Sequence, residues 1–249
     1  MIPLKDDNPV ERTPIVTFAL IAANVLAFLW QLDLPMLPEA LRAGVLGDFL
    51  QQRLHETALR GGAVPYEILT FSDIDLRDIV PPPLTILTSM FLHGGLMHIA
   101  FNLLFLWIFG NNVEDALGRR RFLLFYLACG VVAALVQIVA TAALGDPRGL
   151  QIPMVGASGA IAGVLGAYML LFPRARVLTL VIIVIFIRVI PLPAGFFIGL
   201  WFAGQLLSVF LGANTGVAFF AHIGGFLAGL LLVRVTGRRP SWRARRVVF

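Results

Sequence analysis

PMVGASGAIAGVLGAYML, residues 153–170, consists almost wholly of small and apolar side chains and carries one serine, Ser158, between Gly156 and Gly159. A run of this composition suits a membrane helix, which requires about 20 apolar residues. Its glycines at 156, 159, 163 and 166 recur at spacings that let a second helix approach closely. Two questions follow: whether the rest of the chain is also membrane-embedded, and whether Ser158 is a packing residue or a nucleophile.

Composition answers the first. The chain has 249 residues, 59% hydrophobic and only 13% charged, and its mean hydropathy of +0.89 exceeds what a soluble domain of this size needs for its core. Apolar runs fall at about 14–32, 86–110, 122–144, 155–172, 192–211 and 217–235. Each is near span length, so an all-α, polytopic bundle of six transmembrane helices is expected. Residues 177–190, VLTLVIIVIFIRVI, are apolar but short, β-branched, interrupted by Arg188 and closed by Pro191 and Pro193. They read as an interfacial or re-entrant piece and not as a seventh span.

Charge fits that count. With six spans and the N-terminus inside, 14 of the 19 basic residues are cytoplasmic, including Arg119 to Arg121 and the tail arginines from Arg234 to Arg246. A multi-pass protein of the cell (inner) membrane with both termini cytoplasmic is therefore expected. Three parts follow: a cytoplasmic segment 1–13, a membrane domain 14–235 with an outer loop 33–85, and a basic tail 236–249. Within the loop, residues 38–60 show helical spacing of Leu46, Phe49, Leu50 and Leu54, which suits one helix in the membrane interface. The net charge of +5 is a topology signal, with the tail resting on anionic lipid; a nucleic-acid partner is not expected, because no basic soluble domain is present. The lone cysteine, Cys129, excludes an intramolecular disulfide and a cysteine metal cluster, and no zinc-protease spacing occurs, so neither metal nor cofactor is expected.

Polar side chains are costly in a bilayer, which makes His93, His98, Asn102, Gln137, Ser158, Gln205 and His222 the residues to explain. No acid stands among them, which disfavours an aspartyl protease and a proton-coupled transporter; Glu114, at the end of the second span, reads as a cap or a partner of Arg119 to Arg121. His93, His98, Asn102, Ser158 and His222 fall at one depth once the spans are threaded. On the sixth span His222 shares a stripe with the GxxxG of Gly225 and Gly229, and close packing there brings His222 to Ser158. His98 and Asn102, four apart, offer donors to a developing oxyanion, as does the backbone N–H of Ser158 at a helix start. The set reads as nucleophile, base and oxyanion hole, while each member alone also suits plain interhelical contact. His93 reads as an interfacial residue of the Gly94–Gly95 turn, His55 as solvated, and Gln205 and Trp201 as packing between helices.

HGGLMHIAFN (93–102), GNNVEDALG (110–118), GASG (156–159) and AHIGGFLAG (221–229) together resemble the motifs of the rhomboid family in their order along the chain. The resemblance covers about residues 14–235. It implies an intramembrane serine endopeptidase with a six-span core that cleaves transmembrane protein substrates near their outer end, with Ser158 as nucleophile and His222 as base. Asn102, His98 and the Ser158 amide would form the oxyanion site, with Gly156 and Gly159 also stabilising the oxyanion and substrate. The fifth helix and the loop at about 211–217 would move to admit substrate. The alternative within the same family is a non-catalytic protein that binds membrane helices. Some relatives carry an aromatic residue one turn after the serine, stacked on the histidine; here that position is Ala162, and no oligomeric state is implied.

Overall fold

The structure is a computed structural model and describes residues 1–72, 80–144, 147–183, 186–212 and 217–236. Strand β1 (Ile2–Asp6) leads to α1 (Ile15–Gln31), then α2 (Leu37–Arg42), α3 (Leu46–Gly61), α4 (Pro65–Thr70) and α5 (Pro82–Ser89). Helices α6 (Leu96–Phe105) and α7 (Asn111–Leu117) are joined by a π turn at Leu106–Gly110, and α8 (Arg119–Ala143) follows. The chain continues through α9 (Ser158–Leu171), β2 (Arg176–Ile183), β3 (Phe186–Pro193), α10 (Ala194–Phe210) and α11 (Phe219–Thr236).

The expected helical membrane bundle is present. Among the described residues, Leu96–Leu117 and Arg119–Ala143 are long and apolar enough to cross a membrane, and Ile15–Gln31 with Leu34–Arg42 forms a third such unit bent by 44°. Three further helices, α9, α10 and α11, are apolar but shorter. Large apolar side chains such as Leu26, Leu124, Val139 and Phe210 point outward, an apolar surface that a bilayer covers.

Helix α9 is the centre of the bundle. Every residue from Gly159 to Tyr168 is buried, as expected of a helix that is apolar on all sides. Its glycines set the packing distance. A methyl group at Gly163 would stand 2.5 Å from Cys129 Cβ and Sγ on α8. On α11 the relation is reciprocal: a methyl at Gly225 would overlap the Gly159 carbonyl, and one at Gly229 the Gly163 carbonyl. The backbones of α9 and α11 are thus in direct contact, which no larger residue permits.

Several elements differ from what the sequence predicts. The second span does not begin at residue 86: α5 is a separate short helix, and the spanning helix starts at Leu96, after the Gly94–Gly95 break. The outer-loop helix is not continuous over 38–60, because Gly44 at φ +72° separates α2 from α3. Residues 177–190 are extended. They lie in an antiparallel hairpin whose register runs from Arg176 opposite Pro193 to Ile183 opposite Phe186. The β-branched enrichment of this stretch favours strand over helix. Strand β1 joins it, with Ile2 opposite Leu180 and Asp6 opposite Val177, giving a three-stranded sheet in the order β1-β2-β3. This sheet adds to the helical bundle and ties residues read as a separate N-terminal segment to the connection between α9 and α10.

Polar contacts pin the same end. Asp6 Oδ2 accepts from Tyr168 Oη at 2.6 Å and from Asn112 Nδ2 at 2.9 Å. Burial pushes the Asp6 carboxyl up to about 6, against the lowering effect of the Tyr168 hydroxyl. Glu114 does not pair with Arg119 to Arg121. Its carboxylate accepts from the Val16 and Thr17 amides at 3.0 and 2.7 Å and from Thr17 Oγ1 at 2.8 Å, so it caps the start of α1 from another helix. The tail beyond residue 236 and positions 213–216 of the loop expected to move lie outside the described residues.

Candidate active site

Ser158 is the first residue of α9, and the chain enters it through Gly156 at φ +123°, a conformation that favours glycine. The Gly156 amide donates to the Ser89 carbonyl at 2.8 Å, fixing this entry against α5. Ile161 is the first α9 amide with a helical partner, the Ala157 carbonyl at 3.0 Å. The amides of Ser158, Gly159 and Ala160 therefore precede the first intrahelical bond and point out of the helix start. A cavity of about 40 Å³ adjoins them, lined by Gly130, Ala133, Met154, Ser158 and Ala221 among others. It is large enough for water, which needs about 10–15 Å³.

The glycine contacts between α9 and α11 bring in the histidine. His222 lies one turn before Gly225, and its Nε2 is 2.8 Å from Ser158 Oγ. The start of α11 is held by Gln137 of α8, whose Oε1 accepts from the Ala221 amide at 3.1 Å. The other imidazole nitrogen, His222 Nδ1, meets Gln205 Oε1 of α10 at 2.8 Å. Trp201, one turn earlier on α10, packs on the same imidazole with ring centroids 5.9 Å apart. Gln205 and Trp201 are thus more than packing residues, and the aromatic that Ala162 does not supply comes from a different helix.

His98 completes the layer. Its Nδ1 accepts from the Gly94 amide at 3.3 Å, which leaves Nε2 as the N–H of a neutral ring. That nitrogen faces the serine approach: a methyl at Gly156 would lie 2.7 Å from His98 Nε2 and 3.7 Å from Ser158 Oγ. Asn102, buried one turn further along α6, donates to the His98 carbonyl at 2.9 Å. This bond orients the carboxamide and leaves its second N–H for another acceptor.

His93, read as an interfacial residue of the Gly94–Gly95 turn, packs into the protein. It is fully buried, with its amide donating to Gln31 Oε1 at 2.9 Å and its ring 5.1 Å from that of His98, edge to face. Gln31 also donates to Thr57 Oγ1 at 2.9 Å and to the His93 carbonyl at 3.3 Å. Gln31 on α1 was absent from the polar residues singled out by sequence. It stands at the end of its apolar run, where hydropathy alone does not distinguish a buried amide from a solvated one. His55 is exposed, as expected.

A model of the Rhomboid domain family matches residues 83–239, a stretch that contains every residue of this layer except Gln31 and Thr57. The chain belongs to the rhomboid family. It is 35% identical over 158 residues to rhomboid protease GluP of Bacillus subtilis, covering 61% of this chain and 26% of that protein. It is 33% identical over 167 residues to the human presenilin-associated rhomboid-like protein, mitochondrial, covering 64% and 39%. Rhomboid protein 1, mitochondrial, of Saccharomyces cerevisiae is 29% identical over 164 residues, covering 62% and 42%. The aligned part thus spans less than half the length of these relatives. This rhomboid is a multi-pass membrane protein whose serine and histidine come from helices α9 and α11.

Proposed function

We propose that this rhomboid is an intramembrane serine endopeptidase that hydrolyses a peptide bond in transmembrane protein substrates near the outer membrane face. The observation that carries the reading is the 2.8 Å contact between His222 Nε2 and Ser158 Oγ, made between two helices of an apolar bundle. A hydroxyl and an imidazole at this distance can exchange the proton that attack on a carbonyl requires.

Ser158 Oγ attacks the scissile carbonyl as His222 Nε2 takes its proton. The oxyanion that forms is met by the outward amides at the start of α9, by the His98 Nε2–H and by the second N–H of Asn102. Imidazolium then protonates the leaving amine. Water entering the cavity beside Ser158 is deprotonated by His222 and hydrolyses the acyl-enzyme.

The arginines at 119–121, 174, 176 and 188 share one end of the bundle with the sheet, whereas the first loop is acidic. This asymmetry supports six spans with both termini cytoplasmic in the cell membrane, a topology in which Ser158 would lie toward the outer side. The test is cleavage of a transmembrane reporter by purified protein in proteoliposomes, with Ser158→Ala and His222→Ala in parallel. Wild type should cleave, label at Ser158 with a fluorophosphonate, and lose both activities in each variant. Undiminished cleavage by the variants would overturn the assignment, as would wild type that binds the reporter helix without cutting or labelling.

A further inference from the structure

We propose that Gln205 is the positioning residue of the general base, the third member of a Ser158–His222–Gln205 relay supplied by α10. The inference rests on the serine-protease reading and adds a residue to it. A neutral imidazole carries one proton, and only the tautomer with that proton on Nδ1 leaves Nε2 able to accept from a serine hydroxyl. Something must therefore accept a hydrogen bond from Nδ1. Gln205 Oε1 stands there at 2.8 Å, and among the described residues no carboxylate hydrogen-bonds to His222.

The orientation of the Gln205 amide is itself constrained. Its Nε2 faces the Trp201 carbonyl of its own helix at 3.5 Å, which turns Oε1 toward the histidine. The reverse orientation would direct N–H groups at Nδ1, force the proton onto Nε2 and disable the base. Trp201, four residues earlier and on the same face of α10, holds the ring plane. It is itself packed against Phe226 of α11, with centroids 6.4 Å apart. Nδ1 direction and ring plane thus both come from one turn of α10.

The neutral oxygen suits its surroundings. A carboxylate at this place would be a buried charge inside an apolar bundle, at a cost of several kcal/mol, whereas a carboxamide accepts the same hydrogen bond without one. The Nδ1 acceptor and the aromatic stacked on the ring both come from α10, which carries neither the nucleophile nor the base. Helix α10 has its buried residues, Ala194, Phe197 and Ile198, at the sheet end. The half that carries Gln205 exposes Leu206, Leu207 and Phe210. Displacement of that half would release the imidazole while leaving Ser158 and His222 on their own helices.

The experiment compares wild type with Gln205→Leu and Gln205→Glu in proteoliposomes. It reads kcat and KM on a transmembrane reporter, the rate of fluorophosphonate labelling at Ser158, and the tautomer of His222 by ¹⁵N chemical shifts. Gln205→Leu, unfolding at the wild-type temperature, should lose about 10- to 100-fold in kcat and in labelling rate with KM unchanged. Its imidazole should shift from the Nδ1–H form to a mixture. Gln205→Glu, which keeps an acceptor at the same reach, should recover most of the labelling rate at pH above neutrality, with a lower unfolding temperature. Wild-type kcat and an unchanged tautomer in Gln205→Leu would overturn the proposal, as would a loss confined to KM or to unfolding temperature. Should wild type neither cleave nor label, the protease reading fails, and the tautomer comparison still decides whether Gln205 holds the ring.

Discussion

Gly225→Ala separates packing from chemistry, because the residue touches neither substrate nor the reacting atoms. Its added methyl would overlap the Gly159 carbonyl, and Ala133 Cβ at 3.3 Å closes the space beside it. The obstacle is the backbone of a buried helix and cannot rotate away. Restoring ordinary van der Waals contact requires α9 and α11 to separate by about 1 Å or more. His222 is one turn away on α11, so the same displacement stretches the 2.8 Å contact to Ser158 toward about 3.8 Å, beyond hydrogen-bond reach. A misplacement of about 1 Å costs on the order of 100-fold in rate, whereas overpacking costs about 1–3 kcal/mol in stability. Single-turnover cleavage of a transmembrane reporter, measured beside thermal unfolding, reads both. Gly199→Ala on α10 is the control, since nothing lies within 4 Å of the position its methyl would take, and it should keep both properties. Wild-type turnover by Gly225→Ala would refute the reasoning that glycine contact delivers the base.

Three further outcomes follow from other contacts. Asp6 titrates at about 6 in the folded chain against 3.8 ordinarily, so between these values the folded state holds a proton the unfolded state has lost, and stability falls as pH rises. About 3 kcal/mol at most is lost above pH 6; Asp6→Asn, whose amide oxygen can still accept from Tyr168, should abolish that slope in unfolding measured from pH 4 to 7. Glu114→Gln replaces one of the two acceptor oxygens that cap α1, so unfolding in detergent should show a loss of about 1–3 kcal/mol while turnover per folded molecule stays near wild type. Gly156→Ala puts a methyl 2.7 Å from His98 Nε2 at a backbone φ of +123°; steady-state cleavage should show kcat down by about 10-fold or more with KM little changed.

The serine, both site histidines and Asn102 were legible because each is a polar side chain inside an apolar run, the strongest signal a membrane sequence carries. Their mutual facing was legible too, since GxxxG spacing on α11 states which side approaches α9. The start of the second span was not, because Gly94 and Gly95 do not lower hydropathy enough to mark the break after α5. The sheet was hidden for a related reason. VLTLVIIVIFIRVI is as apolar as a span, and its outer partner, Ile2–Asp6, comes from the opposite end of the chain, a pairing no local pattern specifies. Gln205 was visible as a polar residue at depth, but its partner depends on how α10 is rotated about its axis. The one sequence clue was Ala162: with no aromatic there to hold the imidazole, another element had to do so.

On the proposed protease reading, the depth of Ser158 is bounded by the length of α9. Its 14 residues rise about 21 Å, well short of the roughly 30 Å hydrocarbon core. For a chain that spans the bilayer, a helix this short cannot reach both interfaces, so one end must stop inside. Tyr168, near the far end, is tied to Asp6 of β1, and β1 belongs to the sheet that continues α9 through β2. That end is therefore fixed to the sheet, so in the proposed topology the end that carries Ser158 is the one that stops short of the interface. The segment leading into it is extended, with Met154 bridged to Ala63 and Gly156 bonded to Ser89, so its backbone polar groups are satisfied by protein where lipid could not satisfy them. In that topology water needs to cross about 9 Å of the core to reach the cavity beside the serine. Adding one helical turn to α9 would raise Ser158 by about 5.4 Å, out of hydrogen-bond reach of His222, so helix length and site registry are one constraint.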